Sequence, residues 1–547
     1  MRSRRPGSMR CLGRPLLAAG LALALAAAPA RGQSCDGSQV IRRLEISTLP
    51  VFNPAETGKD RKIFHLINRL HAPMQTRHRT IRSLLTLRVG DPCRPEDLEE
   101  AERELRALSF VQDAWVEAIG EEDGGVVVRV RVQDAWSTRP GFSIKSEGGK
   151  TTTRFHLTEV NLLGTGARLE WSGRRDQDRR ERTLRYLDPS LKGTHWQAEI
   201  INSDNSDGRR RLLALRRPFW KLDEKWALSL EGGDETREDK VYAQGAAIDR
   251  WRVDARTASL GYARSPRGLE AQGRLFRWGV EIVADRQRWT RATARPAFRP
   301  EWRPYDRDLL LVGGSLRWQR IDFRRTWHLE TARRVEDLDL SLDTGLALAV
   351  SAPGSPDTGG RLRAWWRRGF GLSDRAFLQI GGSHQGTRLR GGWVNVVTSA
   401  QVRLFRRLTP HQTILVHAAL DLGENLDGPS RFLLGGETGL RGYRSRAFDG
   451  NRRLLIDLEH RFFTPWEVLE TFRVGFVGFV EFGAAWDESE SLTLGRVHPD
   501  VGFGLRLQAI PSSQATTLHL DLALPLDPNG EPGGTSPRFS FRTATTF

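Results

Sequence analysis

The chain has 547 residues, enough for two or three domains or for one small domain ahead of one large one. Its net charge of +17 comes mostly from arginine, but the basic residues are scattered and no recognition motif interleaves with them, which argues against nucleic acid as a partner. A mean hydropathy of −0.47 matches a soluble chain, but it equally fits a membrane barrel, whose strands alternate two kinds of surface and never build a long apolar run.

The one long apolar run lies at the start. Arg2, Arg4, Arg5, Arg10 and Arg14 precede a Leu- and Ala-rich stretch from Pro15 to Ala28, with small residues at Ala28 and Ala30. A basic segment, a short apolar segment and an A-x-A exit describe a secretory signal peptide over residues 1–32. The run is shorter than the roughly 20 residues a spanning helix needs. Its removal takes away Cys11 and leaves Cys35 and Cys93, which in an exported chain form one disulfide or stay as two thiols. No His cluster accompanies them, so neither a metal site nor any other cofactor is expected.

Residues 33–138 read as a small α+β domain. Gln39 to Ile46 is a short strand. Arg61 to Leu70 is helical, with Ile63, Leu66, Ile67 and Leu70 at helical spacing, and Thr80 to Leu87 continues as a second helix until Gly90-Asp91-Pro92 stops it. Pro95 with Glu96 and Asp97 starts a further helix, since acidic residues suit the positive end of the helix dipole. Its apolar stripe is Leu98, Ala101, Leu105 and Leu108. Two strands follow, Val111 to Ala118 and Val126 to Val132, giving a small sheet with helices on one face.

After Trp136 the pattern changes to short alternating segments separated by Gly, Asp, Asn and Arg-rich turns. Leucines occupy 518, 520, 522 and 524 while His519, Asp521 and Ala523 face the other way; Phe503, Leu505 and Leu507 alternate with Gly504, Arg506 and Gln508. Leu454, Ile456 and Leu458 oppose Leu455, Asp457 and Glu459, and Val474, Phe476, Val480 and Phe482 oppose Glu481. Such alternation also suits a soluble sandwich. Export, about 400 residues without a helix and the final aromatic Phe547 favour a transmembrane antiparallel β-barrel over 139–547. Strands of about 9–11 residues with long outer loops put about 16 strands into that length, although not every strand between Arg209 and Arg407 is assigned. Ala352 to Gly360 and Asp527 to Pro537 read as loops.

One segment stands out within the barrel region. Phe432 to Tyr443 reads F-L-L-G-G-E-T-G-L-R-G-Y. An arginine held in a partly dehydrated lumen needs a carboxylate, and its planar fork allows bidentate contact. Gly442 permits a tight turn against the wall, and Tyr443 packs with its hydroxyl bonded. Here the sequence resembles the outer-membrane assembly and secretion barrels that include BamA, TamA and the two-partner secretion transporters (the bacterial surface antigen family). In that family a long extracellular loop folds into the lumen and carries a hydrophobic–Arg–Gly–aromatic tip, matched by Leu440, Arg441, Gly442 and Tyr443. Its acidic partners match Glu459, in L-I-D-L-E-H-R-F-F-T-P, and Glu481, which stands where the family usually has Asp; Asp457 is a reserve partner on the same face.

The resemblance extends to a single POTRA domain over Leu85 to Val132, to an early barrel hairpin at Asn161 to Gly166, and to a terminal-strand signal with Phe539, Phe541 and Phe547 on one face. It implies a protein without covalent chemistry, whose periplasmic domain engages unfolded client polypeptides and whose barrel opens between its first strand, near Gly141 to Glu147, and its last. Outer-membrane lipids and periplasmic or lipoprotein accessory factors are the other partners it implies. A dedicated two-partner-type secretion pore, a passive porin and a lipid transporter are the alternative readings. No G-x-S-x-G elbow, P-loop or H-E-x-x-H motif is present.

Overall fold

The computed structural model describes residues 35, 37–52, 62–122, 124–220, 224–266, 273–293, 302–331, 336–468, 472–509, 517–527 and 536–544. The signal peptide and Phe547 lie outside them. The N-terminal domain runs β1 (Ile41–Leu49), α1 (Lys62–His71), α2 (His78–Leu84), α3 (Pro95–Arg106), β2 (Val111–Glu122) and β3 (Gly125–Asp134). β3 is central, parallel to β1 and antiparallel to β2. Its valines at 126, 128, 130 and 132 are buried with Ile41, Ile81, Ala114 and Val116 and with the α3 stripe Leu98, Ala101 and Leu105. Each such large side chain contributes about 1.5–3 kcal/mol by leaving water. By contrast α1 exposes Leu66 and Leu70. Cys35 and Cys93 are joined as a disulfide spanning 58 residues, a closure that stabilises the domain by about 4 kcal/mol on a chain-entropy argument.

Among the described residues, twenty strands form a closed barrel, from Thr138–Glu147 round to Arg538–Ala544. The expectation of about 16 is therefore corrected. Loop length explains the difference: many turns on the side away from the N-terminal domain are as short as Gly148-Gly149, Ser206-Asp207, Gln244-Gly245 and Arg390-Gly391, so less chain is spent in loops. The strands Trp226–Ala243, Ala246–Arg264 and Arg274–Thr293 are also 18, 19 and 20 residues long, well beyond the length assumed.

Alternation sorts the side chains as the pattern requires. Outward-facing Val312, Leu316, Leu348, Val350, Leu522 and Phe539 are 47–65% exposed, an apolar belt of the kind a bilayer covers. Inward-facing charges form ladders across neighbouring strands, as in Arg185–Glu199–Arg216–Glu231, where each contact is 2.7 Å. Among the described residues no helix is long and apolar enough to cross a membrane.

The N-terminal domain docks on one mouth, here termed proximal. The turn at Asn161–Gly166, between the second and third strands, makes the joint. Asn161 donates its side-chain amide to Met74 O and Thr76 Oγ1, both at 2.8 Å, and accepts from Gly166 N–H at 2.8 Å. Thr80 Oγ1 donates to Gly164 O at 2.8 Å.

Candidate functional site

Residues 425–451 join the strands Gln412–Glu424 and Arg452–Val468 at the distal mouth and fold back into the lumen. A short hairpin, Phe432–Leu434 against Phe448–Gly450, forms the stem. Leu434, Leu440 and Tyr443 are fully buried and pack with Ala447, Phe448 and Leu455, which holds the tip by apolar contact before any charge is considered.

At the tip, Arg441 lies on the barrel wall. Its Nε donates to Glu481 Oε1 at 2.6 Å and one Nη donates to Glu459 Oε1 at 2.7 Å. Asp457 lies farther, at 3.5 Å. The Arg441 backbone N–H donates to Glu481 Oε2 at 2.7 Å, so Glu481 uses both oxygens on one residue. These carboxylates come from adjacent strands, Arg452–Val468 and Phe472–Trp486, where Asp457 and Glu481 pair in register. All four side chains are largely buried. The guanidinium also stacks over Phe479, 3.7 Å from the ring centre, adding cation–π attraction.

The neighbouring tip residues are held too. Gly442 N–H donates to Asp500 Oδ2 at 2.8 Å, and Tyr443 Oη donates to Pro499 O at 2.8 Å. Gly442 does not sit in the left-handed region expected of a tight turn. Space is the reason for glycine here: a Cβ would stand 2.8 Å from Asp500 Cβ and 3.0 Å from Pro525 N. The loop base then reaches the first hairpin of the barrel, where Ser445 N–H donates to Gly148 O at 2.9 Å. A Cβ on Gly148 would collide with the Ser445 backbone, so this approach also requires glycine.

Two arginines extend the cluster. Arg506 donates to Asp521 Oδ1 at 2.6 Å, and Asp521 in turn lies 3.7 Å from Arg441. Arg461 donates to Glu459 Oε2 at 2.8 Å, so Glu459 bridges Arg441 and Arg461 with its two oxygens. Arg461 also donates to Leu329 O at 2.7 Å. Leu329 belongs to a segment, described over residues 321–331 and 336–341, that enters from the proximal side. It is buried against Leu340, Phe377, Phe405 and Leu415. One carboxylate therefore links segments that enter the lumen from opposite mouths.

Of the residues singled out in the sequence, Leu440, Arg441, Gly442, Tyr443, Glu459 and Glu481 meet at one site, with Asp457 at its edge. Phe539 and Phe541 lie together on the last strand, ring centres 6.4 Å apart and remote in role from the latch. Sequence reasoning missed Phe479, Asp500, Asp521, Arg461 and Arg506 as parts of the site. Parity was the available signal, since 457, 459 and 461 share one face of a strand, as do 479 and 481.

No protein-family model and no curated protein matches the chain. Solved structures similar to it include BamA from Haemophilus ducreyi lacking POTRA domains 1–3, at 14% identity over 93% of this chain and 85% of that one, with a TM-score of 0.44. CdiB from Acinetobacter baumannii is similar at 11% identity over 92% and 74%, with a TM-score of 0.45. CdiB from Escherichia coli is similar at 13% identity over 95% and 93%, with a TM-score of 0.41.

Proposed function

We propose that this chain is an outer-membrane barrel of the assembly and secretion kind, which inserts or translocates polypeptide without covalent chemistry. The observation that carries the reading is Arg441, clamped by Glu459 and Glu481 from two adjacent strands while its loop rests on the first hairpin. A lumen loop tied to the wall and to the first strands is suited to a barrel whose lumen and seam are gated. On this reading the proximal mouth is periplasmic. The N-terminal unit is then a single POTRA-like domain whose sheet ends in the edge strands β1 and β2, to which an extended client would add as a further strand.

Depletion of the protein, followed by an inventory of outer-membrane and secreted proteins, tests this. Loss of many barrel proteins supports insertion, and loss of one secreted partner supports a dedicated secretion pore. Complementation with Arg441→Glu is expected to fail, and Arg441→Glu with Glu481→Arg to recover part of the inventory. An unchanged inventory after depletion, with steady large conductance from the purified barrel, would make the protein a passive pore.

A further inference from the structure

Between the N-terminal domain and the barrel lies a cavity of about 610 Å³, separate from the latch. From the domain, α2 supplies Arg79, Arg82 and Ser83, three residues that share one helix face. From the barrel come Thr165, Tyr186 and the turn Ser190, Lys192 and Gly193. The two walls are fixed to each other, by the Thr80 bond to Gly164 and by Ser190 Oγ donating to Ser83 Oγ at 3.3 Å.

The position of Tyr186 shows which way the cavity opens. On its strand, Arg180–Asp188, the intervening Arg185 points into the lumen and pairs with Glu199. Tyr186 therefore belongs to the outward row with Leu184, which is 48% exposed. Its neighbour in register on the next strand is Ile200, also exposed, and Leu184 pairs with exposed Trp171 on the other side. The cavity thus meets the apolar belt at the proximal rim, where a phenol hydroxyl suits the boundary between hydrocarbon and headgroups.

Its electrostatics are one-sided. Residues 61–90 include Arg61, Lys62, Arg69, Arg77, Arg79, Arg82 and Arg88 and no Asp or Glu. Arg79, Arg82 and Lys192 are exposed, and none has a carboxylate partner among the described residues. Asp188, the acid in the cavity wall, is buried and accepts the Ser190 backbone N–H at 3.0 Å.

We propose that this cavity binds the phosphate headgroup of an anionic phospholipid from the inner leaflet of the outer membrane, with its acyl chains along Leu184, Trp171 and Ile200. The assignment rests on the membrane reading of the barrel but not on polypeptide transport. Two guanidinium groups and an ammonium supply charge, and the planar forks suit phosphate oxygens. The hydroxyls of Ser83, Ser190 and Thr165 donate to Thr80 O, Thr194 O and Leu162 O and so fix the shape of the wall behind these cations. A lipid seated there would clamp α2 to the barrel rim and so hold the domain beneath the mouth.

Native mass spectrometry of the full chain, released from nanodiscs of phosphatidylcholine with added phosphatidylglycerol, tests the site. Wild type is expected to retain phosphatidylglycerol, and Arg79→Glu/Arg82→Glu/Lys192→Glu to lose it. At about 1 kcal/mol per cation the triple variant should bind roughly a hundredfold more weakly. Arg88→Glu, in the same basic run but outside the cavity, should bind as wild type, and Lys192→Ala alone should give an intermediate loss in a barrel with unaltered heat-modifiable mobility. Equal retention by the triple variant would overturn the proposal. So would displacement of the lipid by inorganic phosphate at millimolar concentration, which would mark a site for any anion, or an equal loss with Arg88→Glu, which would mark diffuse surface charge.

Discussion

Arg441 takes one carboxylate from each of two neighbouring strands, so its removal does more than delete an attraction. Glu459 and Glu481 would remain buried and close to one another, a situation that costs about 3–5 kcal/mol where one partner of a buried pair is lost. Gly442 offers a sharper test, because it alters the tip without touching a charge. Gly442→Ala must push the loop away from Asp500 and Pro525, at about 1–3 kcal/mol. Limited proteolysis within residues 425–451 should become faster although Arg441 is intact; unchanged protection would show that the wall yields there. A second clasp lies at the distal mouth, where Arg446 donates to Asp178 Oδ2 at 2.6 Å and Tyr242 Oη donates to Oδ1 at 2.7 Å. Burial works against the Asp178 charge, but the hydrogen bonds from Arg446 and Tyr242 outweigh it and hold the carboxyl well below the usual carboxylate range. A depressed native pKa contributes stability that is present above the unfolded value, near 3.9, and is lost as pH falls through the native one. Asp178→Asn should therefore speed loop cleavage at neutral pH, with the difference from wild type vanishing only in strong acid. Arg441 and its glutamates were legible from motif and parity. Asp500 and Asp521 were not, because nothing local tells which of several lumen acids the loop tip will reach.

Regular alternation made the last strands legible, and the small domain followed from helix starts and valine-rich strands. The stretch from 209 to 407 was opaque because its strands run to 20 residues and pass beyond any apolar belt, so charged residues fill their distal ends on both faces. The segment 321–341 lay within that stretch and gave no inward-folding signal. In the structure it is held by more than Leu329: Thr413 Oγ1 donates to His328 O at 2.7 Å, and His328 stacks on Phe463 with ring centres 4.9 Å apart. These contacts seat His328 and Leu329 inside the lumen, against the wall on the proximal side of the Arg441 cluster. Leu329→Ala should weaken its seat by about 2–5 kcal/mol. Single-channel recording in planar bilayers should then show more frequent openings, while the Arg441 contacts persist. Conductance identical to wild type would mean that the segment does not obstruct the pore.

The barrel as a whole closes unevenly. The last strand pairs with its predecessor through seven residues, Thr517–Ala523 against Arg538–Ala544, and the first hairpin pairs through ten. Between first and last strands a single pair is in register among the described residues, Phe541 with Ser146. A junction with so short a register is the weakest in the barrel wall and is suited to admit an incoming strand, the property that makes an open sheet edge reactive. The lumen loop sits beside the same junction, since Ser445 holds Gly148 just past Glu147, which in turn lies 3.7 Å from Arg542 of the last strand. Latch and seam are thus neighbours, and a change in one is placed to alter the other. A Ser146→Cys/Phe541→Cys pair should lock the seam on oxidation and abolish activity, with recovery on reduction. Leu505→Cys/Leu520→Cys, across a fully registered junction, should be without effect in either state. If the locked barrel worked as well as the reduced one, the narrow pairing at the seam would be a detail of closure, and the transport proposed above would have to run through the lumen past Arg441 alone.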